Sequence, residues 1–186
     1  MSKYKELDDL ETLIEGMDSD LQTKYLKWLK LSNWYLKNEK TFKPEKYAKY
    51  NPGDVITINF GFNVGAEFGG RHFAVVVEDN TRKAGTVMVT PLSSCSSEEE
   101  VKDPSVYLGV IKELNFPGTD ETHSFAVINQ TRPISKLRIS TPAKPTEPKL
   151  NIGSDLLEKI YANTEAKYTG TYPENKEPKI IDPTKP

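Results

Sequence analysis

Three β-branched apolar runs placed close together constrain this chain most. Val55-Ile56-Thr57-Ile58-Asn59-Phe60, Phe73-Ala74-Val75-Val76-Val77 and Thr86-Val87-Met88-Val89-Thr90 each read as a buried or half-buried strand. The stretch from Gly61 to Gly70 between the first two holds four glycines, so it is a loop with unusual backbone freedom. Asp79 to Gly85 turns the chain between the second and third, and Ser93 to Glu100 reads as a polar loop. Further strands are expected at Val106–Ile111 and Phe125–Asn129, joined through the turn-rich Asn115-Phe116-Pro117-Gly118. Short strands at this spacing, with few helices between them, predict a mainly β fold with peripheral helices, built on a small antiparallel barrel.

The flanks differ in composition, which predicts three regions. Residues 1–50 are rich in lysine, lack arginine and carry both tryptophans. Leu7, Leu10, Leu13, Ile14 and Met17 have helical spacing, and a second helix is expected from about Asp20 to Leu36, with Asp18-Ser19-Asp20 supplying capping chemistry. This N-terminal helical hairpin and its linker precede a core region, 51–169, that ends in an amphipathic helix capped by Ser154, with Leu156, Leu157, Ile160 and Tyr161 on one face. Residues 140–186 hold seven of the 13 prolines, and 170–186 have the composition of a disordered tail.

Charge narrows the function. With 25 Lys+Arg against 27 Asp+Glu, the chain carries a formal net charge of −2, which argues against a broad, sequence-blind grip on nucleic acid. Residues 53–139 hold eight basic and 11 acidic side chains, yet all four arginines (Arg71, Arg82, Arg132 and Arg138) fall there. A chain that otherwise uses lysine has put guanidinium, which binds phosphate or carboxylate in bidentate fashion, at strand edges beside a flexible loop. No apolar window approaches the roughly 18 residues of a membrane span. The acidic N-terminus does not read as a signal peptide, and Cys95 has no second cysteine to pair with. A cytoplasmic protein is expected. His72, His123 and Cys95 cannot build a closed zinc site, and Gly65 to Gly70 lacks the Gly-Lys-Ser/Thr ending of a phosphate-binding loop, so no metal and no cofactor are expected.

Three ordered blocks resemble the MazF/PemK toxin family. Gly53-Asp54-Val55 opens the first strand, and Asn63-Val64-Gly65-Ala66-Glu67-Phe68-Gly69-Gly70-Arg71-His72-Phe73 is similar to the family's Gly-Ser-Glu loop followed by Gly-Xaa-Arg-Pro and an apolar strand. Val87-Met88-Val89-Thr90-Pro91-Leu92 looks like its next strand, with the catalytic threonine or serine. Asn129-Gln130-Thr131-Arg132-Pro133-Ile134-Ser135-Lys136-Leu137-Arg138 matches its Gln-Xaa-Arg-Xaa-Ile-Xaa-Lys-Xaa-Arg stretch. The match spans roughly residues 53–168.

The resemblance implies an SH3-like antiparallel barrel, usually a homodimer, held inactive by a cognate antitoxin. It implies a metal-independent endoribonuclease that cleaves single-stranded mRNA by attack of the ribose 2′-OH on the adjacent phosphate. Its catalytic residues would be Thr90 and the arginine opening the second strand. Ungapped alignment on Gly69-Gly70 puts His72 at that arginine's place and Phe73 at the proline's, leaving Arg71 and His72 as alternatives. Glu67, Gln130, Arg132, Lys136 and Arg138 are the implied RNA contacts. A non-nuclease toxin or a regulatory binding protein on the same barrel is the competing class, because fold alone does not decide activity.

Overall fold

The computed structural model describes residues 3–115 and 121–171; most of the expected 115–118 turn and the proline-rich tail beyond Thr171 lie outside them. Two helices come first, α1 (Lys5–Glu15) and α2 (Ser19–Glu39). Asp18 caps α2 as the sequence suggests, its Oδ1 accepting from the N–H groups of Asp20 and Leu21 at 3.1 and 2.9 Å.

Eight strands follow among the described residues: β1 (Asp54–Gly61), β2 (Gly70–Val76), β3 (Thr86–Cys95), β4 (Val106–Val110), β5 (His123–Ala126), β6 (Arg132–Ser135), β7 (Ile139–Thr141) and β8 (Leu150–Asn151). All their pairings are antiparallel, in the order β4-β5-β3-β2-β1-β7, with β6 on β3 and β8 on β1. Helix α3 (Ser154–Thr169) closes the described chain. Gly153, rather than Ser154, holds its N-cap position, at φ +81°, where glycine is favoured.

Strand β3 organises the molecule. Thr86–Val89 pairs with β6, Val89–Pro91 with β2, and Leu92–Cys95 with β5. The sequence ends this strand at Thr90, because Pro91 and the serines after it read as loop. The strand runs on: Pro91 needs no N–H for its place opposite Ala74, and its carbonyl accepts from Val127 N–H at 2.9 Å.

Alternation divides the apolar residues between two clusters. Ile56, Ile58 and Phe60 of β1 pack with Ala74 and Val76 of β2, Val87 and Val89 of β3, and Tyr50. Val55 and Val75 point the other way, to Leu92, Val106, Leu108, Ala126, Ile128 and Ile160 of α3. The linker after α2 is anchored by Tyr50, wholly buried, whose hydroxyl donates to the Pro142 carbonyl at 2.7 Å.

Helix α2 lies over the loop end of the β1–β2 ribbon. Trp28 fills the space above Gly61, where a Cβ would come within 2.6 Å of the indole; Gly61 also has φ +95°, so this position excludes side chains twice over. The Tyr25 ring meets Phe62 edge to face at 5.1 Å.

Candidate functional site

Adjacent residues of β2 reach the same cavity from opposite faces of the strand. Arg71 pairs with Asn59 and His72 with Ile58, so their side chains leave the ribbon on opposite sides. Both nevertheless line one cavity of about 520 Å³, together with Thr57, Phe73, Ser93 and Ser94. The cavity lies where β3 passes from β2 to β5.

His72 is half-buried against the loop. Its ring stacks obliquely on Phe68, with centroids 4.5 Å apart. Burial pushes its pKa below the ordinary 6.5, while a hydrogen bond to the Leu92 backbone acts in the opposite direction. A largely neutral imidazole at neutral pH is one that can accept a proton. Arg71 is exposed and adds a permanent positive charge beside it.

Thr90 is placed differently from the sequence expectation of a catalytic hydroxyl. It has no exposed surface, and its Oγ1 shares a hydrogen bond with Thr131 Oγ1 at 2.9 Å. Ser93 lies three residues further along β3, hence on the opposite face, and it lines the cavity with Arg71 and His72. The sequence reading passes over Ser93 because it stands in the run Ser93-Ser94-Cys95-Ser96-Ser97, which looks like loop. The continuing strand is what gives it a defined direction.

The residues expected to bind RNA mostly hold the glycine-rich loop and α2 in place. Gln130 accepts the Phe68 N–H through Oε1 at 3.1 Å and donates through Nε2 to the Ala66 carbonyl at 3.3 Å. Arg132 donates to the Phe68 carbonyl at 2.6 Å, with its guanidinium 4.9 Å above the Phe60 ring. Arg138 donates to the Phe60 carbonyl at 2.7 Å and stacks beneath Trp28 and Tyr35 at 5.6 and 5.9 Å. Lys136 is at 0% exposure; its ammonium donates to the Thr81 carbonyl at 2.8 Å, and burial lowers its pKa. Glu67 is exposed on the loop and lines a second cavity, beneath α2. The structure therefore gathers Arg71 and His72 at one cavity, adds Ser93 to them, and ties Gln130 and Arg132 to the glycine-rich loop and Arg138 to β1 and α2.

The PemK-like, MazF-like toxin of type II toxin–antitoxin systems matches residues 51–162. A crystal structure of MazF (Form-I) from Deinococcus radiodurans is similar at 16% identity, covering 64% of this chain and 96% of that one, with a TM-score of 0.45. The MazE–MazF (Form-III) structure from the same organism covers 65% and 97% at 16% identity and TM-score 0.40. A comparison with curated proteins gives no match. The family match spans well over half of the sequence, and the chain belongs to the PemK-like, MazF-like toxins of type II toxin–antitoxin systems.

Proposed function

We propose that this toxin is an endoribonuclease that cleaves single-stranded RNA without a metal ion. One observation supports the reading above all: an imidazole, a guanidinium and three serines line a single cavity. In the reaction the ribose 2′-oxygen bonds to the adjacent phosphorus and loses its proton to a base. The bond from phosphorus to the 5′-oxygen breaks, and that oxygen takes up a proton. The products are a 2′,3′-cyclic phosphate and a 5′-hydroxyl.

His72 is the group suited to move those protons, since imidazole titrates nearest to neutrality. Arg71 offsets the charge that develops on the phosphorane oxygens. Ser93 takes the phosphate-orienting role that the family resemblance assigns to a threonine or serine. Thr90 supports β3 from behind through Thr131. Gln130 and Arg132 act on RNA indirectly, by fixing the shape of the loop, and Arg138 by tying β1 to α2.

A cognate antitoxin, a second copy of the chain in a homodimer and a cytoplasmic location belong to the same proposal, carried by family membership. No helix among the described residues is long and apolar enough to cross a membrane. Inducible expression with mapping of RNA ends tests the reading in cells. The expected result is growth arrest with new cuts at a recurring short sequence. Growth arrest with intact RNA would assign the protein to the non-nuclease toxins instead.

A further inference from the structure

A second cavity, of about 550 Å³, lies beneath α2, and Arg71 lines it as well as the first. Its floor is the ribbon: Asn59 and Arg71, cross-strand partners, with Gly61, Gly69 and Gly70 beyond them. Its roof is α2, through Lys24, Lys27, Trp28 and Leu31. Thr57 and Phe73 are also cross-strand partners, and they stand on the same ribbon face as Asn59 and Arg71 while lining the first cavity. The two cavities are thus consecutive stations along one face of β1–β2, and Arg71 is the ridge between them.

We propose that the cavity beneath α2 is a subsite for the RNA strand, holding nucleotides that flank the cut. The proposal rests on the nuclease reading of the first cavity and adds to it the α2 residues, which lie outside the matched 51–162 stretch. Charge and chemistry favour RNA as the occupant. Lys24, Lys27 and Arg71 give three cations against the single carboxylate of Glu67 on the lining. Lys24 also forms an i,i+4 ion pair with Asp20, in a solvent-exposed setting where such pairs are weak. Phe62, 41% exposed, lines the same cavity and offers an aromatic face of the kind on which bases stack. Continuity through Arg71 sets the geometry: a strand whose scissile phosphate meets Arg71 has neighbouring phosphates within reach of α2.

The test uses the full chain. The cut is first mapped in a long unstructured transcript, and oligonucleotides are then made with the cut and either one or eight flanking nucleotides on each side. The wild-type protein should cleave the extended oligonucleotide with a kcat/KM about ten times that of the trimmed one. Lys24→Gln/Lys27→Gln should make the two substrates nearly equal, and should reduce the slope of log affinity against log salt for the extended RNA by roughly 1.4, the value for two phosphate contacts on a single strand. Lys30→Gln, which removes one charge from the same helix away from the cavity, should leave the extended substrate preferred. Loss of the preference in Lys30→Gln as well, or its retention in the double variant, overturns the subsite while leaving the nuclease intact. If the double variant instead loses affinity for the antitoxin and keeps its preference for long RNA, the cavity serves a protein segment and the proposal fails. A wild-type protein that cuts no RNA removes both readings together.

Discussion

The Phe68 ring lies 4.5 Å from the His72 imidazole, so the glycine-rich loop and the candidate proton-transfer group share one desolvated contact. Phe68 is itself fixed at both its peptide groups, by Gln130 on its N–H and by Arg132 on its carbonyl. Gln130 and Arg132 thereby act on the His72 side of the cavity through Phe68.

The pH behaviour follows from this contact. Burial lowers the pKa of His72 below 6.5, so the folded protein binds its proton less readily than the unfolded chain. The stability that neutral His72 contributes is complete above about pH 6.5 and is lost as pH falls through the lower folded value. Phe68→Ala admits water to the ring, and the His72 titration followed by NMR should move up toward 6.5. The acid limb of any cleavage profile should move with it.

Arg132 and Gln130 should behave as loop anchors. Arg132→Ala removes one of two donors to the Phe68 carbonyl, leaving Asn63 Nδ2 at 2.8 Å, and should cost about 1.5 kcal/mol, the low end for a charge-assisted hydrogen bond. For a chain of this size that lowers the melting temperature by roughly 2–4 °C per kcal/mol. Hydrogen exchange should accelerate across residues 62–70 in Arg132→Ala and Gln130→Ala, with the β1–β2 pairing little changed. Equal acceleration across the whole sheet would show instead that these side chains support the core at large.

Thr90 and Ser93 separate into structure and chemistry. Thr90→Val removes the 2.9 Å bond to Thr131 and should destabilise by about 1 kcal/mol, while RNA cleavage continues. Ser93→Ala should leave the melting temperature within a degree or so and reduce kcat by roughly a hundredfold, in the range of a lost transition-state donor. The reverse pattern would return the catalytic role to Thr90.

Much of this arrangement was legible in the sequence. Strands β1 and β2, both N-terminal helices and the capping Asp18 follow from periodicity and capping chemistry that local residues carry. The second half of β3 was hidden because Pro91 and the serines beyond it resemble a loop, and with it the direction of Ser93. The short strands β6, β7 and β8 take their conformation from pairing with β3 and β1, which no local pattern announces. Motif matching marked Gln130, Arg132, Lys136 and Arg138 as important but could not say that their polar ends turn toward backbone carbonyls and N–H groups within the chain. That depends on where Phe60, Phe68 and Thr81 come to rest.

The N-terminal helices should be separable from the sheet. Neither α1 nor α2 has a buried residue, and α2 is held chiefly through Trp28 over Gly61, Tyr25 on Phe62 and the stacking of Arg138. Trp28→Ala should expose the 40–47 linker to limited proteolysis while the remaining fragment keeps its β-sheet circular dichroism. Gly61→Ala should do the same, because its Cβ meets the indole. Simultaneous loss of the sheet signal would mean that hairpin and sheet fold as one unit.

The most direct test is incubation of the purified protein with unstructured single-stranded RNA in excess EDTA, with the product ends analysed chemically. Cleavage leaving 2′,3′-cyclic phosphate and 5′-hydroxyl ends, present in wild type and abolished in Arg71→Ala/His72→Ala with the fold intact, is the predicted result. Undiminished cleavage by that variant, or RNA left whole by the wild-type protein, would contradict the account.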